Sequence, residues 1–260
     1  MCVCLCLCLC LCLCLCLYLR VVELQVTTDK LVAIDVLRQR LAQALPGLGL
    51  VLTAPQVDAL LAYLVLMQKW NKVYNLTAVR DPAEMLTHHL LDSLAVVSPL
   101  RNRLAAVKAA LPEAGAATAT KPVCLLDVGS GAGLPGIVIA ICCPDVQVDC
   151  VDTVAKKAAF IQQVAVTLKL QNLRGLHARV ESLAGPYDVV SSRAFASLAD
   201  FTSWSKNALA GQGIWMAMKG KRPVDELAAL PASVEVFHVE QLAVPGLGAE
   251  RCIVWMRTSG

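Results

Sequence analysis

The sequence predicts an α/β fold: a mostly parallel sheet with helices on both faces, preceded by an N-terminal helical region. Three observations predict it. Apolar residues recur at three- and four-residue spacing through the first third of the chain, the period of amphipathic helices. After residue 122 the rhythm changes to short apolar runs alternating with helix-like segments, the pattern of βαβ units. One of those runs, Val-Cys-Leu-Leu-Asp-Val at 123–128, delivers the chain into glycines at 129, 131, 133 and 136. A strand, a glycine loop and a helix in succession make a ligand crevice whose backbone can approach the ligand closely.

The elements follow in order. Helices are expected over 29–45 and 53–74, the second opened by Thr-Ala-Pro-Gln with Thr53 as N-cap and Pro55 in the first turn. A third begins in Arg-Asp-Pro-Ala-Glu, where Asp81 caps, Pro82 fits the first turn and Glu84 favours the positive helix end. Residues 29–110 therefore form the helical region, and the Ala-rich stretch 101–122, punctuated by Pro, Gly and Thr, is a helix end and a loop. The core, 122–258, carries strands at 123–128, 146–152, 187–192 and 213–219, with helices at 134–143, 154–169 and 198–209. Two more strands, 234–244 and 250–257, have no helix between them and should close the sheet as an antiparallel pair.

Composition bounds the function. The chain has 260 residues, enough for one large domain or a domain with an appendage, without a staple. Its 23 Lys plus Arg against 20 Asp plus Glu give a net charge of +3, too small by itself to signal nucleic acid or an anionic membrane. Of the 13 cysteines, most lie in the tract Met-Cys-Val-Cys-Leu-Cys that opens residues 1–20; the rest are Cys124, Cys142, Cys143, Cys150 and Cys252, in or beside apolar runs. No Cys-x-x-Cys or Cys/His cluster with zinc spacing occurs among these five, so the expectation is reduced thiols, a cytoplasmic location and no metal. The first nineteen residues are uncharged and long enough to raise a transmembrane reading. They lack a basic n-region and a small-residue cleavage site, however, and their strict Cys-Leu alternation is what translation of a short DNA repeat produces. Residues 1–20 are read as a low-complexity tract, from a misassigned start or a disordered tail, ahead of a membrane anchor.

The glycine loop discriminates among ligands. A dinucleotide fingerprint G-x-G-x-x-G begun at Gly129 would need glycine where Leu134 stands; begun at Gly131 it leaves Gly129 and Asp127 unexplained. No Gly-Lys-Ser/Thr follows, which excludes a P-loop. Apolar-apolar-Asp-x-Gly-x-Gly-x-Gly instead fits S-adenosylmethionine (SAM) binding in a Rossmann-like methyltransferase sheet. Asp127 would meet the cationic methionine end, directly or through water, and Asp152, ending the second strand, would accept hydrogen bonds from ribose hydroxyls. From these residues alone three rivals stay open: a methyltransferase acting on a small molecule or protein, a NAD-type oxidoreductase, and a membrane-anchored interaction protein resting wholly on residues 1–20.

Beyond the loop, Tyr-Asn-Leu-Thr-Ala-Val-Arg-Asp at 74–81 with His-His-Leu-Leu-Asp-Ser-Leu at 88–94, Gly-Leu-Pro-Gly at 133–136, His-Ala-Arg-Val-Glu-Ser at 177–182 and Ser-Arg-Ala-Phe at 192–195 occur in one order. In these stretches the chain resembles the bacterial small-subunit (16S) ribosomal RNA guanine-N7 methyltransferases, the glucose-inhibited division protein B family, over roughly residues 30–257. It departs from their pattern at His88, where Arg is expected, and at Ala155 and Lys157, where Gly and Arg are. The resemblance implies SAM as cofactor, with contacts at Gly129, Leu134, Asp152, Thr153, Val180, Glu181 and Arg193; Asp127, Gly131 and Gly133 complete the expected cofactor set. It implies small-subunit RNA or the assembled subunit as partner; no membrane partner and a monomer are expected beside it. Guanine N7 has a lone pair in the neutral base, so no catalytic acid or base is expected, and Arg193 is assigned to positioning. Asn75, Arg80, His89 and Lys219 are the substrate-side candidates, with Lys69, Trp70, Lys72, His88, Asp92, Lys221 and Arg222 around them.

Overall fold

A computed structural model describes residues 34–110 and 122–259. The Cys-Leu tract, the expected helix start at 29–33 and the loop at 111–121 lie outside the described residues. The chain divides into two compact units, Met1–Ala42 and Gln43–Gly260. Of the first, residues 34–42 are described, and they are helical (α1, which runs on to residue 44).

In the second unit, a 3-10 turn at Pro46–Leu48 is followed by a long helix, α2 (Ala54–Tyr74), whose N-terminus is a capping box. The Thr53 hydroxyl accepts from the Gln56 amide while Gln56 Oε1 accepts from the Thr53 amide at 3.0 Å, so two orphan donors are satisfied reciprocally. α3 (Pro82–Met85) is capped by Asp81, whose Oδ1 accepts from the amides of Ala83 and Glu84, both at 2.9 Å. The single helix expected from here is interrupted: a π-helical turn spans Leu86–Leu91 before α4 (Asp92–Leu94) and α5 (Val97–Ala110).

Seven strands form one sheet: β1 (Val123–Val128), β2 (Val146–Asp152), β3 (Leu173–His177), β4 (Tyr187–Arg193), β5 (Leu209–Lys219), β6 (Val234–Leu242) and β7 (Arg251–Thr258). Their order is β3-β2-β1-β4-β5-β7-β6, parallel through β5 and antiparallel at β7 and β6. The expected antiparallel pair is thus present, at the end of the sheet. α6 (Gly136–Cys142) has every residue buried, as a helix apolar all round must; α2 covers it, with Gln56 Nε2 donating to the carbonyls of Ile141 and Cys142. α7 (Ala155–Thr167), α8 (Leu198–Ser205) and the short α9 (Val224–Ala228) complete the layers. On the α8 side, Leu126, Val190, Phe201, Trp215 and Val254 pack into one apolar cluster. Each such side chain stabilises the fold by about 1.5–3 kcal/mol.

β3 was absent from the apolar runs because Leu-Arg-Gly-Leu-His buries only its first residue, as an edge strand can. β5 begins at Leu209, where the helix expected over 198–209 has already ended.

Candidate active site

The strand order reverses between β1 and β4, and open α/β sheets hold ligands outside the carboxyl ends of the strands at that point. A cleft of about 530 Å³ lies there, lined by Gly129, Asp152, Thr153, Val180, Glu181, Phe195 and Trp204 among others. Its floor is the loop after β1. The amides of Gly129 and Ser130 donate to the Val151 carbonyl, tying the loop to β2. Gly129, Gly131 and Gly133 have φ of +63°, +59° and +86°, the left-handed region that favours glycine. A Cβ on Gly129 would collide with the Phe195 ring, and one on Gly133 with Ile137.

Three carboxylates organise this end of the sheet. Asp127 is fully buried; its Oδ1 accepts from the Ser191 hydroxyl at 2.8 Å and its Oδ2 from the Gly136 amide at 3.1 Å. Both oxygens are thereby turned to the protein, so Asp127 braces the loop from below instead of facing the cleft as expected. Burial pushes its carboxyl up to about 7, against the lowering by Ser191 and Gly136. Asp152 reaches the cleft, where Oδ2 accepts from the Gly131 amide at 3.0 Å and Oδ1 from the Val154 amide at 2.8 Å, with Lys157 Nζ 3.6 Å away. Asp92, at the end of the π turn, is shared: Oδ2 accepts from Arg193 Nη1 at 2.9 Å and Oδ1 from Arg251 Nε at 2.8 Å.

The remaining sequence candidates separate clearly. Thr153 and Glu181 are exposed at the cleft and Val180 is buried beneath it. Gly131, Gly133 and Leu134 shape the loop without lining the cleft, Leu134 being packed inside at 3% exposure. Arg193 ends β4 immediately before Ala194 and Phe195, which do line it. Asn75 and Arg80 are exposed and joined by a 3.3 Å hydrogen bond from Arg80 Nη2. His89 is buried, with Nε2 2.7 Å from the Thr77 hydroxyl, and burial together with Arg193 lowers its ring to about 4; it is a neutral packed histidine, not a surface contact. Lys219 is also drawn inward, donating to the Ala196 carbonyl at 2.9 Å and to Glu226 Oε2 at 2.7 Å. Lys221 and Arg222 beside it are exposed.

Phe195, Trp204, Arg179 and Arg251 were not singled out from sequence. Phe195 had a signal, since it stands two residues after the strand-end arginine in Ser-Arg-Ala-Phe. Arg251 had none: only the pairing of β7 with β5, Lys219 against Cys252, brings it to this end of the sheet. Helix α2 completes the site from outside, with the buried Tyr63 hydroxyl donating to the Ala132 carbonyl of the loop at 2.7 Å.

A family model described as rRNA small subunit methyltransferase G matches residues 56–254. The protein of Albidiferax ferrireducens named ribosomal RNA small subunit methyltransferase G is 69% identical over 223 residues, covering 86% of this chain and 98% of the relative. Its namesake in Acidovorax sp. strain JS42 is 68% identical, covering 81% and 91%. Among solved structures, TrmN from Thermus thermophilus superposes with a TM-score of 0.47 and 16% identity, over 64% of this chain and 49% of that one.

Proposed function

This chain belongs to the rRNA small subunit methyltransferase G family, and from that premise we propose that it methylates N7 of a guanine in small-subunit ribosomal RNA, with SAM as methyl donor. The observation that carries the reading is the cleft at the β1/β4 reversal. Its volume of about 530 Å³ suits a nucleoside-sized ligand. The left-handed glycine loop clears the side chains from one wall, and the exposed Thr153 and Glu181 supply polar groups at another. Gly129, Asp152, Thr153, Val180 and Glu181 would hold the cofactor, and Arg193 would meet it from the end of β4. When bound, SAM supplies an electrophilic methyl group on a cationic sulfur.

The residues then need to align the acceptor and no more. Guanine N7 presents a lone pair without losing a proton, so no general base is assigned. The neutral, buried His89 serves the fold of the acceptor side: Thr77 bonds His89, and Asn71 Oδ1 accepts from the Thr77 amide at 2.9 Å, fixing the turn that displays Asn75 and Arg80. These two, with Lys221 and Arg222, are the proposed RNA contacts. A Hoogsteen edge is reached in loops or bulges of RNA, not in its deep narrow major groove. No helix among the described residues is long and apolar enough to cross a membrane. The same reading puts the enzyme in the cytoplasm as a monomer, which light scattering checks.

The test incubates the chain with methyl-labelled SAM and small subunits lacking the modification, followed by nucleoside mapping. A single 7-methylguanosine supports the proposal. Tight SAM binding with no label in RNA, and label in a small molecule or protein instead, replaces it.

A further inference from the structure

One carboxylate beside the site, Asp92, does not line the cleft. Asp92 is 2% exposed and receives one guanidinium on each oxygen: Arg193 Nη1 at 2.9 Å and Arg251 Nε at 2.8 Å. The three residues come from the helical region, the end of β4 and the start of β7. Arg193 Nη1 donates in addition to the His88 carbonyl at 3.2 Å. All of its recorded bonds thus leave through one nitrogen, while Nε and Nη2 have no partner among the described residues and the side chain is 21% exposed. Arg251 is anchored at its other end, Nη1 donating to the Glu250 carbonyl at 2.8 Å.

The π turn makes this arrangement available. In a regular α-helix the Asp92 amide would bond the His88 carbonyl; here it bonds those of Thr87 and His89, and the His88 carbonyl turns to Arg193. Two guanidiniums on one buried carboxylate leave one positive charge in excess. A planar fork held by one nitrogen keeps its other edge for an oxygen acceptor, and a carboxylate is the acceptor that matches it in charge and shape. SAM carries such a group at its methionine end.

We infer that Asp92 is a positioning residue for cofactor binding: it holds Arg193 by one nitrogen so that the opposite edge of the guanidinium meets the SAM carboxylate, and Arg251 fixes the orientation of Asp92. The inference rests on the SAM reading and not on the identity of the methyl acceptor. Arg193 contacts the ligand; Asp92 and Arg251 act through it.

The test is calorimetric titration of the full chain with SAM alone, no RNA present, on the parent, Asp92→Asn, Arg251→Gln, Arg193→Ala and the double variant Arg193→Ala with Asp92→Asn. Asp92→Asn should weaken SAM binding about tenfold, the loss of one charge-assisted hydrogen bond, and Arg251→Gln about threefold. In the Arg193→Ala background Asp92→Asn should add nothing, because its effect passes through the missing guanidinium. A merely structural Asp92 lowers the unfolding temperature and leaves the SAM Kd of the folded variant at the parent value, which overturns the inference; so does additivity in the double variant. Should Asp92→Asn not fold, a parent-like Kd in folded Arg251→Gln overturns it equally. Because RNA is absent, failure here is distinct from failure of the ribosomal RNA reading, which the parent chain's labelling of small subunits decides.

Discussion

Strand β2 carries two buried aspartates three residues apart, and they sit in two chemically different regions. Asp149 lines a cavity of about 200 Å³ with Cys124, Arg174 and Tyr187. Arg174 donates to it through Nε and Nη2 at 2.7 and 2.6 Å and the Tyr187 hydroxyl at 2.7 Å, a carboxylate saturated by side chains. Asp152 lines the larger cleft and is held chiefly by main-chain amides, those of Gly131 and Val154. Burial is nearly the same, 4% and 6%. The difference teaches that depth alone does not tell the two carboxylates apart; the kind of partner does. Asp149, closed by Arg174 and Tyr187, ties β2 to β3 and β4, and Asp152, held by the amides of Gly131 and Val154, braces the floor of the cleft.

The largest effect should come from breaking that floor. Gly129→Val forces a branched residue to φ +63° and into the Phe195 ring, and SAM binding by calorimetry should fall more than about a hundredfold. Next, the two aspartates should part company. Asp152→Asn, whose amide nitrogen must face the N–H of Gly131 or Val154, should weaken SAM about tenfold as well as cost stability; Asp149→Asn should cost about 2 kcal/mol in urea unfolding and leave the SAM Kd intact. Equal losses of both quantities in both variants would erase the contrast.

A pH titration sharpens it further. Asp127 titrates near 7 in the folded protein and near 3.8 unfolded, so between these values the native state binds more of the proton. Its contribution to stability is therefore full below about 4 and is lost as pH rises through about 7. Asp127→Asn should remove that loss. The variant should gain on the parent by a few kcal/mol at most between those pH values, measured as the difference in urea unfolding free energy. A constant difference across the window would show that Asp127 does not titrate there. The smallest effect belongs to the exposed rim: Lys221→Ala should leave SAM affinity unchanged, weaken RNA modestly, and reduce the salt dependence of RNA binding by about one unit of slope.

Much of this architecture was legible because its central strands are largely buried and carry short apolar runs between helix-like segments. Val-Cys-Leu-Leu-Asp-Val and Tyr-Asp-Val-Val-Ser-Ser needed no tertiary information. β3 did, since an edge strand buried at one residue leaves no run to read. The glycine loop was visible as spacing, while the role of Asp127 was not: a carboxylate before glycines looks the same whether it faces a ligand or the loop's own amide. The inward bonds of Lys219 and His89, both substrate-side candidates in the sequence, are hidden for a related reason. Their partners, Glu226 and Thr77, lie 7 and 12 residues away across a turn between elements, where the period of either element predicts no contact. The Arg251 contact spans 159 residues and is written only in the pairing of strands.

The π turn at Leu86–Leu91 bears on how this chain can change over generations. A π turn holds one residue more than the α-helix it interrupts. Deleting a single position between Leu86 and Leu91 would restore the regular ladder, and the backbone carbonyl that now accepts from Arg193 would be taken up within the helix, although every side chain of the cluster remained encoded. Point substitutions on the outer face of the segment leave that geometry alone. The segment is thus open to drift in letters and closed to drift in length, and comparison of gap placement among relatives should show insertions and deletions accumulating on either side of it and stopping at its borders.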